Sequence, residues 1–211
     1  MNRDHPVRIV PHESGAKNRA DKAADREQGE PLLSILLKLS GLIDALNEAV
    51  GKLVYWLILV AVVISAGNAS VRYLFSTSSN AWLELQWYLF SAVFLLCSGY
   101  TLLRNEHIRI DVVIGRFSKR TQAWVDVFGF IFFMFPMALL ILWLSWPMFW
   151  DSFIHSEMSN NAGGLLRWPV KILVPLGFLL LSLQGASELI KRIAFLMGLR
   201  DEPGDKMHGH S

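Results

Sequence analysis

Four long stretches without a single charged residue constrain this chain more than any other feature. They are Leu53–Val71, Leu85–Leu103, Val127–Trp150 and Ile172–Ser187. Crossing the hydrocarbon core of a bilayer takes roughly 20 mostly apolar residues, with a range of about 17–25. The first three stretches meet this outright. The fourth meets it when Lys171 and Glu188 lie at its ends, with their charges reaching the interfaces. The expected fold is therefore an all-α membrane protein with four transmembrane helices. Composition agrees: 53% of the 211 residues are hydrophobic and only 18% are charged, against about 25% charged in an average soluble domain.

The remaining residues divide the chain into segments. Residues 1–30 are polar and mix both signs of charge, so a disordered cytoplasmic tail is expected there. The first long apolar block begins at Leu53, too far from Met1 for a cleaved signal peptide. Residues 31–52 open with Pro31. Apolar residues then recur at helical spacing at Leu32, Ile35, Leu36, Leu39, Leu42, Ile43, Leu46 and Val50. Ser34, Lys38, Gly41, Asp44, Glu48 and Lys52 form the opposite stripe. This pattern predicts an amphipathic helix lying flat in the interface ahead of the first span. The four-helix domain is expected over 53–195 and a second cytoplasmic tail over 196–211. Pro136 predicts a kink in the third span. Pro147 predicts a change of course, with the next connection running from about Met148 to Trp168. Asn160–Gly164 within it reads as a flexible turn. Trp146, Trp150 and Trp168 suit an aromatic belt.

Charge asymmetry orients the chain. Arg104, Arg109, Arg116, Lys119 and Arg120 follow the second span, and Lys191, Arg192, Arg200 and Lys206 follow the fourth. The connection after the first span has none, and the third has Arg167, with Lys171 at its edge. Positive charge in short loops stays on the cytoplasmic side, so both termini are expected there. The net charge of +2 suggests no nucleic-acid partner.

Few residues propose chemistry. Membrane four-helix bundles often hold haem between paired histidines, but His5, His12, His107, His155, His208 and His210 all lie outside the apolar blocks. No catalytic residue, metal set or cofactor is expected, and Cys97 reads as a small apolar residue in a helix interface. The charges at the span ends are more informative. Arg72 and Glu84 flank a short turn and should lie at similar depth, as an ion pair within the hairpin or between subunits, or as part of a gate. His107, Arg109 and Asp111 share a face if extended, and His107 and Asp111 lie one turn apart if helical. Either arrangement suits contact with a partner. Gln184, with Glu188 one turn later, needs a partner helix.

These residues also carry a resemblance. Asn68 with Arg72-Tyr73-Leu74-Phe75, Trp82-Leu83-Glu84, Gly99 leading to His107-Ile108-Arg109-Ile110-Asp111, and Trp168-Pro169-Val170-Lys171 with Pro175-Leu176-Gly177-Phe178 and Gln184-Gly185 occur in order. Over roughly Leu32 to Arg192 the chain resembles the small, DctQ-like membrane subunit of tripartite ATP-independent periplasmic (TRAP) transporters. The resemblance implies a bacterial inner-membrane, non-enzymatic subunit. It would scaffold a large membrane subunit during sodium-coupled uptake of an organic acid or related solute delivered by a periplasmic binding protein. Arg72, Glu84, His107, Arg109, Asp111, Lys171, Gln184 and Glu188 are the expected structural or subunit-contact residues. Two other readings are a membrane anchor of a redox complex and a self-sufficient small channel. The chain lacks the broken helices of a transporter core, which favours a supporting subunit.

Overall fold

A computed structural model describes residues 14–76, 79–104 and 117–198, with side chains from residue 34 onward. His107, Arg109 and Asp111 lie outside the described residues. Internal contacts divide the chain into Met1–Leu36 and Leu37–Ser211. The four-helix body belongs to the second unit; the described part of the first is helix.

Helix α1 covers Ser14–Phe75, α2 Asn80–Leu103, α3 Lys119–Gly129 and α4 Phe135–Ile154, with a widened turn Phe130–Met134 joining the last two. A short α5, Trp168–Lys171, leads into α6, Leu173–Leu196. Among the described residues there is no strand beyond one isolated pairing, Met158 with Leu166. Four helical segments are long and apolar enough to cross a membrane: Ser34–Phe75, Asn80–Leu103, Lys119–Ile154 and Trp168–Leu196.

Local sequence accounts for several boundaries. The Ser118 hydroxyl accepts the Thr121 N–H at 3.3 Å and caps α3. Gly198, with φ of +75°, closes α6, and its N–H donates to the Phe195 carbonyl at 3.0 Å. Pro136 has no N–H to give, and the turn before it widens so that the Phe135 N–H donates to the Phe130 carbonyl. The disturbance expected at Pro136 takes this form.

Three features differ from the sequence reading. Helix α1 begins at Ser14, within the stretch expected to lack order, where Ala, Lys, Arg, Glu and Gln are good helix formers. It also passes from residue 52 to 53 without a break, so the amphipathic segment is not a separate element. Third, α4 continues through Pro147 to Ile154, and the connection proper begins at His155. Ring contacts hold this extension: Phe149 lies tilted against Phe153 with centroids 5.9 Å apart, and Phe153 meets Trp168 edge to face at 5.5 Å.

The interior mixes polar side chains with small and apolar ones such as Val54, Ala61, Ala123 and Ala138, and the exterior is apolar. Ser40, Asn47, Ser152, Gln184, Ser187, Glu188 and Arg192 are buried. Trp56, Phe94 and Trp143 are 68%, 80% and 78% exposed. Such a surface is untenable in water and ordinary against lipid tails. The helices meet through small residues. A Cβ built on Gly177 of α6 would lie 2.7 Å from the Leu95 carbonyl oxygen of α2, and one on Gly99 would collide with Asn47 Oδ1. Gly177→Val therefore has to separate α2 from α6. The expected cost is about 1–3 kcal/mol, read as a lower unfolding temperature in detergent; an unchanged value would contradict this packing.

Candidate functional site

Two polar clusters fix the helices, one near each end of the body. The first joins α1, α3 and α6. Its centre is Gln184, which has no exposed surface. The Gln184 amide donates to Asp44 Oδ1 at 2.9 Å and its oxygen accepts from Asn47 Nδ2 at 3.0 Å. One turn away, the Ser187 hydroxyl donates to Asp44 Oδ1 at 2.7 Å and lies 2.7 Å from the Ser40 hydroxyl. Lys191 Nζ pairs with Asp44 at 2.5 Å and with Glu188 at 2.8 Å. Arg192 reaches across to Asp126 of α3 at 2.7 Å, lies 3.6 Å from Glu188, and packs over the Phe130 ring. At the same end, Arg104 of α2 pairs with Glu48 of α1 at 3.1 Å.

Geometry follows from helical spacing. Ser40, Asp44, Asn47 and Glu48 recur at three and four residues on α1, and Gln184, Ser187, Glu188, Lys191 and Arg192 do so on α6. Two polar stripes thus face each other. Leu39, Leu42 and Leu46 of α1 point outward and are exposed. Lys38 and Lys52 also remain exposed.

The second cluster lies at the opposite end of α2. Asn80, Glu84 and Tyr88, four residues apart, hold the connection between α4 and α5. Glu84 accepts the Leu165 N–H at 2.7 Å, the Asn161 amide at 2.8 Å and the Ser159 hydroxyl. The Asn80 amide donates to the Ala162 carbonyl, and the Tyr88 hydroxyl to the Leu166 carbonyl, each at 3.0 Å. Within the connection, Ser159 N–H donates to the Leu165 carbonyl and Arg167 N–H to the Glu157 carbonyl. Asn160–Gly164, expected as a flexible turn, is thus tied to α2 at two points, Asn161 and Ala162, and held on either side by Ser159 and Leu165. Glu157 pairs with Lys171 and, at 3.2 Å, with Arg167. The Lys171 ammonium, assisted by Arg167, holds the Glu157 carboxyl down to about 2. Its contribution to folding is therefore complete above the ordinary value of 4.5 and is lost as pH falls from there through about 2.

The structure does not pair Arg72 with Glu84. Neutral donors of the connection satisfy both Glu84 oxygens. Arg72 is exposed and makes no ion pair among the described residues. It lines a groove of about 610 Å³ with Ser65, Asn68, Ala69, Tyr73, Leu83 and Gln86. Of the residues singled out by sequence, Gln184 and Glu188 come together in the first cluster; Glu84 and Lys171 anchor two sides of the connection. Asp44, Asn47, Asp126, Lys191 and Arg192 were not singled out. The 3–4 spacing of polar residues over 184–192 of α6 and 40–48 of α1 is a signal that could have found all of them but Asp126.

The two kinds of ion pair differ in environment. Arg192 is 3% exposed, whereas Lys52, 3.6 Å from Glu48, is 71% exposed. Arg192→Met removes the cation that pairs with Asp126, while Glu188 keeps Lys191, at an expected cost of about 3–5 kcal/mol. Lys52→Met should cost about 0–1 kcal/mol. Thermal unfolding of both variants in detergent checks this ordering; equal losses would contradict it.

Four spanning helices, an apolar exterior and polar ties at both ends describe a multi-pass membrane body. No curated protein and no solved structure matches the chain. A family model does, over residues 61–195, and its description is the DctQ component of tripartite ATP-independent periplasmic transporters. That span takes in α2 to α6 almost entirely and the C-terminal end of α1 from Ala61 to Phe75, including Arg72, Glu84 and Gln184. The chain belongs to this DctQ family, and is a small membrane component of a TRAP transporter rather than a member of an enzyme family.

Proposed function

We propose that this chain is the scaffold on which a large TRAP membrane subunit works during sodium-coupled uptake of an organic acid or related solute. A periplasmic binding protein delivers that solute. One observation carries the reading: most of the buried polar side chains at both ends of the body hold its own helices together. Asp44, Gln184, Lys191 and Arg192 bind α1, α3 and α6 to one another. Glu84 binds α2 to the connection between α4 and α5. Fixed at both ends, the body suits a stationary support rather than a moving carrier. Its exposed apolar face, including Trp56, Phe90 and Phe94, is available to lipid and to a neighbouring membrane subunit.

The same reading puts the chain in the bacterial inner membrane with both termini in the cytoplasm. The support is the excess of Lys and Arg between α2 and α3 and after α6. The connection 155–167 then faces the periplasm. His107, Arg109 and Asp111 belong to the inner face in this orientation, where they would contact the large subunit. The amphipathic part of α1 would sit at the inner leaflet, its leucines toward the acyl chains.

A tagged chain is expected to co-purify with the large subunit in a one-to-one complex. Deleting it should abolish uptake while the binding protein still captures substrate. Normal sodium-driven uptake without this chain, at normal abundance of the large subunit, would overturn the scaffold reading.

A further inference from the structure

Most polar side chains within the spans are tied to another part of the chain. One group is not. Ser65, Asn68 and Arg72 lie three and four residues apart on one face of α1, and Gln86 faces them from α2. None of these four side chains bonds to another described residue, and the groove they line is open to the outside of the body. Arg72 is three residues from the end of α1 and Ser65 is ten. At about 1.5 Å per residue, the polar face therefore reaches about 15 Å back along the helix. Polar groups at that depth are costly against hydrocarbon and are found facing a protein partner.

The chemistry of the groove narrows the occupant. Arg72 supplies a fork of charged donors matched to a carboxylate or phosphate. A lipid phosphate at the membrane surface can reach Arg72. It cannot also satisfy Ser65, Asn68 and Gln86 farther down the groove, because acyl chains offer no hydrogen-bonding atoms. A helix can do both, with a carboxylate near its end and polar atoms along its length. The wall is also low: Ala66, Gly67, Ala69 and Ser70 are exposed and small, which permits close backbone approach. Tyr73, 88% exposed, and Leu83 line it with apolar surface.

We propose that this groove receives a transmembrane helix of the large membrane subunit, whose carboxylate pairs with Arg72 and whose polar atoms bond Asn68 and Gln86. The inference rests on the scaffold reading and adds to it a place of contact. A photo-crosslinking residue at Ala69, in the two-subunit complex in native membranes, reads the occupant directly. The expected result is an adduct with the large subunit. That adduct and co-purification should both be lost in Arg72→Glu and retained in Arg72→Lys. The unfolding temperature of the isolated chain should not change, since Arg72 bonds nothing in it. An adduct with phospholipid alone, or with a second copy of this chain, while the large subunit still co-purifies, would overturn the groove assignment and leave the scaffold reading standing. Failure of the unsubstituted chain to co-purify with the large subunit would overturn both.

Discussion

Gln184 is wholly buried between helices, and its amide decides where α1 lies against α6. One side of that amide donates to Asp44 and the other accepts from Asn47. Gln184 and Asn47 have no exposed surface from which bulk solvent could replace these bonds, so rotating α1 by one residue position would strand both amides. The surrounding ion pairs depend on this register. Lys191 meets Asp44 only because Gln184 and Ser187 have already brought that carboxylate to α6. Arg192, on the next position, is then turned toward Asp126 and ties in α3. Interhelical hydrogen bonds of this type contribute modestly one at a time, about 0.6 kcal/mol on average in membranes. What they supply here is a single geometry in a body whose leucines and phenylalanines would pack nearly as well in others.

The opposite end uses a different device. A carboxylate on a helix, Glu84, accepts three donors from a connection that follows it by more than seventy residues. The backbone of 159–165 is thereby fixed to α2 without help from a strand or a disulfide. Glu157, Arg167 and Lys171 then join the two ends of that connection. A support that must hold its shape while a neighbour moves needs both ends of its helices defined. Here one end is held through side chains across three helices and the other through a loop clamped to one helix.

The four spans were legible because length and absence of charge report directly on lipid. So was the importance of Gln184, since an amide in an apolar block demands a partner. The side on which α1 turns its polar stripe was not. Amphipathicity in 31–52 fixes that two faces differ. It does not say whether the polar face meets water or another polar helix, and that depends on α6, some 140 residues away. The same limit applies to Glu84. Proximity along the chain suggested Arg72, whereas the actual donors are a backbone N–H and two small side chains that carry no charge to announce them. Pro147 marked a boundary that ring contacts from Phe149 to Trp168 override.

The polar stripe of α1 faces α6 rather than water, and the rest of the body depends on it. Ser40 and Ser187, whose hydroxyl oxygens are 2.7 Å apart, make it measurable. Cysteines at both positions in a Cys97→Ser background should form an intramolecular disulfide on mild oxidation in membranes, while the pair Leu39→Cys and Ser187→Cys should not. Ready modification of a cysteine at position 40 by a water-soluble thiol reagent, with no disulfide to position 187, would show the stripe turned to water instead.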